Sequence, residues 1–162
     1  MKKYSIISLM ILFAVSFWNC EKDDLCADGT VTTPQLVIEF YDATNTTEIK
    51  EVTGIAYFET SVNDTLSESS VTQILLPLKT NADQVTFKLI LNGNDEDTSD
   101  DIEDILTIDY TREDIYISRA CGYKTNFNLT GVTLNSTNWI NNYTIEQSSI
   151  TNEDEVHLKL YF

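Results

Sequence analysis

A single histidine, His157, occurs in the 162-residue chain, so the usual general base for a serine or cysteine nucleophile has one candidate. Its surroundings do not favour it. Val156 and Leu158 flank it in an alternating run, which puts it with Glu155, Lys159 and Tyr161 on a wet strand face. No nucleophile motif or metalloprotease helix accompanies it. Cations are scarce as well, with 10 Lys and Arg against 26 Asp and Glu and a net charge of −16. Phosphate backbones are bound by clustered Lys and Arg, so nucleic acid is excluded as a partner. Also missing are any sustained 3.6-residue apolar stripe and any repeat of a solenoid period, which argues against helical bundles and repeat arrays. What is present is 42% hydrophobic residues, many in alternating runs, and such a chain folds despite its acidity.

Long apolar runs are limited to one. After Lys2 and Lys3 the chain carries no charge from Tyr4 to Trp18, and it reaches Cys20 through Asn19. A bilayer core needs about 20 apolar residues, and this run falls short, so residues 1–19 are expected to be a cleaved signal peptide. A cysteine at the end of such a segment resembles the lipidation site of bacterial lipoproteins, with Cys20 as the acylated first residue. Phe17-Trp18-Asn19 is bulkier than the usual small-residue pattern and fits the looser one of Bacteroidota lipoproteins. Ordinary secretion with cleavage nearby is the alternative. Lys22-Asp23-Asp24 then resembles the signal that exports lipoproteins of that phylum to the outer face of the outer membrane, the alternative being a solvated charged tether on a periplasm-facing protein. Removal of the leader keeps all the acidic residues but loses Lys2 and Lys3, so the mature chain docks on an anionic membrane only through the lipid.

Three cysteines remain to be assigned. With Cys20 given to lipid, Cys26 and Cys121 form an even pair in an oxidising compartment, and a Cys26–Cys121 disulfide is expected. Two buried free thiols are the alternative. No thiol is left for catalysis or zinc.

Residues 20–34 read as lipidated cysteine, tether and entry loop, and residues 35–162 as one domain. Leu36, Ile38 and Phe40 alternate with Val37, Glu39 and Tyr41, as in a half-buried strand. Residues 50–59 form a second strand, and residues 60–71, rich in Ser, Thr, Asn and Asp, an exposed connection. Ile74, Leu76 and Leu78 share a face of a third strand, with Pro77 placing it at an edge or at its end. Val85, Phe87, Leu89 and Leu91 make the cleanest alternation and stop at Asn92-Gly93, a turn signal. Leu106, Ile108 and Tyr110 give a fifth strand and Ile115, Ile117 and Cys121 a sixth, joined by a turn at residues 111–114. Phe127 and Leu129, Tyr143 and Ile145, and Val156 to Phe162 supply the rest. Seven to nine short strands indicate an all-β, antiparallel sandwich, with a small closed barrel as the alternative.

Cys26-Ala27-Asp28-Gly29-Thr30, the run Leu36-Val37-Ile38-Glu39-Phe40-Tyr41-Asp42-Ala43 and the run Ile117-Ser118-Arg119-Ala120-Cys121-Gly122-Tyr123-Lys124-Thr125-Asn126-Phe127 together resemble a family of flavobacterial lipoproteins known as a domain of unknown function. The similarity extends over nearly the whole mature chain and is most specific around Cys121. It implies a location and no activity.

The acidic run from Asn94 to Asp104 is the best chemical candidate. Calcium takes six to eight oxygens, and Asp95, Asp97, Asp100 and Asp101 would supply them. The run lacks the glycine that an EF-hand needs for its sharp turn, and a solvated strand connection is the bland reading. Arg112, Arg119 and Lys124, with Tyr116 and Tyr123, would recognise an acidic ligand or else offset carboxylates across strands. Asp109, Glu113 and Asp114 are where a catalytic carboxylate pair would lie. Asp64-Thr65-Leu66 resembles an O-glycosylation acceptor at Thr65. The expected function is a non-catalytic, lipid-anchored envelope domain that binds or scaffolds a protein or glycan. A calcium-stabilised structural or adhesive module, and a small-molecule carrier or hydrolase with an interior cavity, are the competing readings.

Overall fold

The computed structural model describes residues 25–62 and 64–162. Cys20, Lys22, Asp23 and Asp24, and the whole leader, lie outside the described residues. The chain divides into two units, whose described parts are residues 25–31 with Tyr116–Tyr123, and Thr32–Ile115 with Lys124–Phe162. Among the described residues no helix is long and apolar enough to cross a membrane.

The strands are β1 (Leu36–Tyr41), β2 (Val52–Glu59), β3 (Leu66–Val71), β4 (Gln73–Leu76), β5 (Gln84–Leu91), β6 (Ile102–Ser118), β7 (Gly122–Leu134), β8 (Asn142–Ile145), β9 (Ser149–Ile150) and β10 (Leu158–Tyr161). They form a four-stranded sheet in the order β4-β1-β10-β8 and a six-stranded sheet in the order β3-β2-β5-β6-β7-β9. Neither closes on itself, so the barrel is ruled out and the molecule is a β-sandwich. One core holds Leu36, Ile38 and Phe40 of the smaller sheet together with Ile55, Phe87, Leu89, Leu106, Ile108 and Phe127 of the larger. Each contributing strand places alternate side chains inward, and burying such a side chain stabilises the fold by about 1.5–3 kcal/mol.

Three departures from the sequence reading have physical causes. The smaller sheet is not purely antiparallel, because β1 pairs in parallel with β10 (Ile38 with Leu158, Phe40 with Leu160). Residues 66–71, expected in an exposed connection, are the edge strand β3, antiparallel to β2. Its side chains are exposed on both faces apart from a half-buried Val71, so it carries no apolar alternation. Residues 111–114 do not turn. They continue β6 with all four side chains exposed, so no apolar alternation marks them as strand. The turn comes at residues 119–121, outside any strand, where the Cys121 N–H donates to Ser118 Oγ at 3.0 Å.

Pro77 follows β4 directly, and β4 is an edge strand, as expected. Asn92 adopts a left-handed φ of 66° just after β5. Gly54 is left-handed too, at 72°, and a Cβ there would collide with the Asn94 side chain, so glycine lets the loop after β5 close on β2.

Candidate functional site

The strongest polar construction in the core is built on Asp104, which the sequence placed at the end of a solvated acidic run. The structure corrects this. Asp104 has the same parity as Leu106, Ile108 and Tyr110, so period two turns it inward, and it is fully buried. Its Oδ1 accepts the Asn138 N–H at 2.7 Å, and its Oδ2 accepts the N–H groups of Trp139 at 2.8 Å and Ile140 at 2.7 Å. These residues belong to the crossover from β7 to β8, which carries the chain from one sheet to the other. The same crossover is tied to β6 by Asn138 Nδ2 on the Glu103 carbonyl at 2.7 Å and by the Ile105 N–H on Ser136 Oγ at 3.0 Å. Trp139 then packs edge-on against Phe162 at 5.5 Å and lies 6.2 Å from Phe40. The carboxylate acts as a structural clamp.

His157 is also corrected. It is 1% exposed rather than wet, and the face it was assigned to is not open either, since Tyr161 within β10 is buried as well. Its Nδ1 accepts the Val37 N–H at 3.0 Å and its own N–H donates to the Val37 carbonyl at 3.1 Å. Burial lowers its pKa, an effect partly opposed by Glu155 and Glu153. A buried imidazole whose acceptor nitrogen is held by backbone is suited to structure rather than proton transfer.

The carboxylates expected for catalysis are used separately. Asp109 Oδ1 accepts from Gln84 Nε2 at 2.6 Å, and Asp114 Oδ1 accepts from the buried Thr125 hydroxyl at 2.7 Å. Arg112 donates through Nε to Asp83 at 2.7 Å and through Nη1 to the Thr80 carbonyl, so it offsets charge locally.

In the acidic run, Asp95 Oδ1 accepts the Asp97 N–H at 2.8 Å and Asp97 Oδ1 accepts the Ser99 N–H at 3.0 Å, two turn contacts within the loop. The Ser99 hydroxyl and N–H hold the Asp97 pKa down. Asp101 is pushed the other way, first by desolvation and then by Asp100, Asp95, Glu103 and Asp97, and its Oδ1 has no hydrogen-bond partner. Among the described residues no group of three or more His, Cys, Asp or Glu side chains is placed to hold a metal ion, so Asp95, Asp97, Asp100 and Asp101 are not gathered into one set. Thr65 is exposed immediately before β3.

A polar cavity that sequence reasoning missed lies on the six-stranded sheet. Phe127 and Ile150 face each other across β7 and β9 and are buried, so Asn126, Asn128, Ser149 and Thr151 point away from the core. With Thr111, Arg112 and Glu113 of β6 they line a cavity of about 260 Å³. Asn126 Oδ1 is itself buried without a donor. An unpaired buried acceptor costs about 1–3 kcal/mol, a local destabilisation that the core-facing neighbours of Asn126 offset. Arg112 is already engaged with Asp83, which leaves the Glu113 carboxylate and the amides and hydroxyls to set the chemistry. The only sequence signal was the run of polar residues alternating with Phe127 and Leu129.

The Cys26–Cys121 disulfide is formed as expected, with the Cα atoms 4.8 Å apart. Fold and cavity together define a disulfide-bridged, all-β sandwich domain with a small polar cleft on its larger sheet. The chain belongs to a family of unknown function (DUF6452), whose model matches residues 50–162. No curated protein and no solved structure matches it.

Proposed function

We propose that this chain is a lipid-anchored, non-catalytic domain of the bacterial cell envelope, held in the outer membrane through Cys20, exposed at the cell surface, and binding a hydroxyl-bearing partner such as an envelope glycan. The observation that carries the reading is the Cys26–Cys121 bridge. A disulfide belongs to an oxidising compartment, and its formation leaves Cys20, at the end of an apolar leader, as the third cysteine of three. The polar cavity supports the binding half of the reading. Glu113 and Asn126 are acceptors, Ser149 and Thr151 serve as donor or acceptor, and a volume of about 260 Å³ suits one small polar molecule or the tip of a chain. His157, Asp109 and Asp114 all have structural partners, which supports a role in binding rather than catalysis.

Two measurements test this. Mass spectrometry of the mature N-terminus from a lipoprotein-processing host is expected to show acylated Cys20, with Cys20→Ala appearing in the soluble fraction and intact cells losing the wild-type domain to added protease. An unacylated N-terminus sinks the anchor. Saturation-transfer NMR with a panel of neutral saccharides at millimolar concentration is expected to show binding that Asn126→Leu and Glu113→Gln each abolish. Binding that survives both substitutions removes the cavity from the reading.

A further inference from the structure

The unit formed by residues 25–31 and Tyr116–Tyr123 holds the four most exposed large hydrophobic side chains among the described residues: Leu25 at 84%, Tyr123 at 68%, and Tyr116 and Val31 at 58% each. Single exposed hydrophobes are ordinary, but four concentrated in so small a unit mark an interaction surface. The two tyrosines pack edge to face at 5.3 Å on either side of the turn, and the disulfide fastens that turn to Cys26. Tyrosine pairs an apolar ring with a polar hydroxyl, which is why it collects at lipid headgroup level.

Charge points the same way. The chain as a whole carries −16, yet among the described residues of this unit Asp28 is the one acid and Arg119 the one base. These residues therefore add no net charge of their own to repel an anionic leaflet, the nearest acids in sequence being Glu21, Asp23 and Asp24 with Lys22 among them. Chain length supplies the occupant. Six Cα steps separate Cys26 from Cys20, a reach of at most about 22 Å at full extension. A patch so close to an acylated residue meets the bilayer at high effective concentration, so a weak affinity is enough.

We propose that this unit seats on the lipid surface in which Cys20 is anchored, with the Tyr116 and Tyr123 rings and Leu25 among the headgroups. The proposal rests on the acylation of Cys20. The test uses the full acylated protein reconstituted into phosphatidylethanolamine and phosphatidylglycerol vesicles containing brominated phospholipid, a contact quencher of tryptophan. Tyr123→Trp is compared with Leu66→Trp, which reports from the exposed edge strand β3, after subtracting the signal of the parent protein. Tyr116→Trp serves as a second reporter if the first disturbs folding. Quenching of the Tyr123→Trp or Tyr116→Trp reporter is expected to exceed that of Leu66→Trp several-fold. Equal quenching, with the acyl mass present on Cys20, refutes the docking alone. An N-terminus without acyl mass refutes the anchor and takes the docking with it.

Discussion

Replacing Asp104 by alanine removes the acceptor for three backbone N–H groups at 2.7–2.8 Å. Asn138 is exposed, so its N–H finds water, but Trp139 is 6% exposed and Ile140 fully buried. Each buried donor left unpaired costs about 1–3 kcal/mol. Two of them therefore amount to about 2–6 kcal/mol, from which relief of the buried carboxylate's desolvation is subtracted. The expected net loss is about 2–4 kcal/mol, the lower part of that range and a sizeable share of the 5–15 kcal/mol that stabilises a typical domain. Asp104→Asn retains one acceptor oxygen and turns an amide NH₂ toward the remaining donors, so its loss is expected to be as large or only slightly smaller. Asp109→Ala is the control on the same strand, because its partner Gln84 is exposed and keeps access to water. That change is expected to cost under about 1 kcal/mol. Urea unfolding followed by the fluorescence of Trp139, which has one other tryptophan in the chain, Trp18, measures all three variants. If Asp104→Ala lies within about 1 kcal/mol of Asp109→Ala, the clamp does not hold the crossover and the argument fails.

Three other outcomes are expected. The lowered pKa of His157 means that the unfolded chain binds a proton the folded chain refuses, so its contribution to stability is present above about pH 6.5 and is lost as pH falls through the folded value. Thermal melts between about pH 8 and 5 should show this decline, and a His157→Gln protein with an unchanged slope would contradict it. Asp101 has a raised pKa, so its contribution is present at low pH and lost as pH rises through the folded value. Asp101→Asn should therefore raise Tm at pH 7 and lose that gain near pH 3, whereas a calcium-dependent rise in wild-type Tm that this substitution abolishes would instead make the acidic loop an ion site. The disulfide spans 95 residues of sequence, and its reduction should lower stability by about 4–5 kcal/mol on the chain-entropy model. Coincident melts of the oxidised and reduced protein would rule that out.

Period two made Val85, Phe87 and Leu89 legible because the face a side chain takes depends only on its own strand and on which side the core lies. The same rule fails at β3, where both faces are exposed, and in residues 111–114, where β6 continues with exposed side chains and no pattern to mark it. Asp104 was within reach of the rule, since its parity with Leu106 turns it inward, but the weight of acidic neighbours on its N-terminal side obscured that. His157 was out of reach, because its burial follows from a backbone pairing with Val37, 120 residues away.

By itself, then, the sequence determined the all-β class, the inward faces of the regularly alternating strands, the pairing of Cys26 with Cys121 and the expectation of an anchored, exported chain, all of which follow from local alternation, segment polarity and a count of three cysteines. Only the tertiary structure decided the parallel union of β1 with β10, the clamp that Asp104 sets on Trp139 and Ile140, and the cavity assembled from β6, β7 and β9. Each of these joins residues far apart in the chain, and no local periodicity encodes which distant strand or loop will supply the other half of a contact.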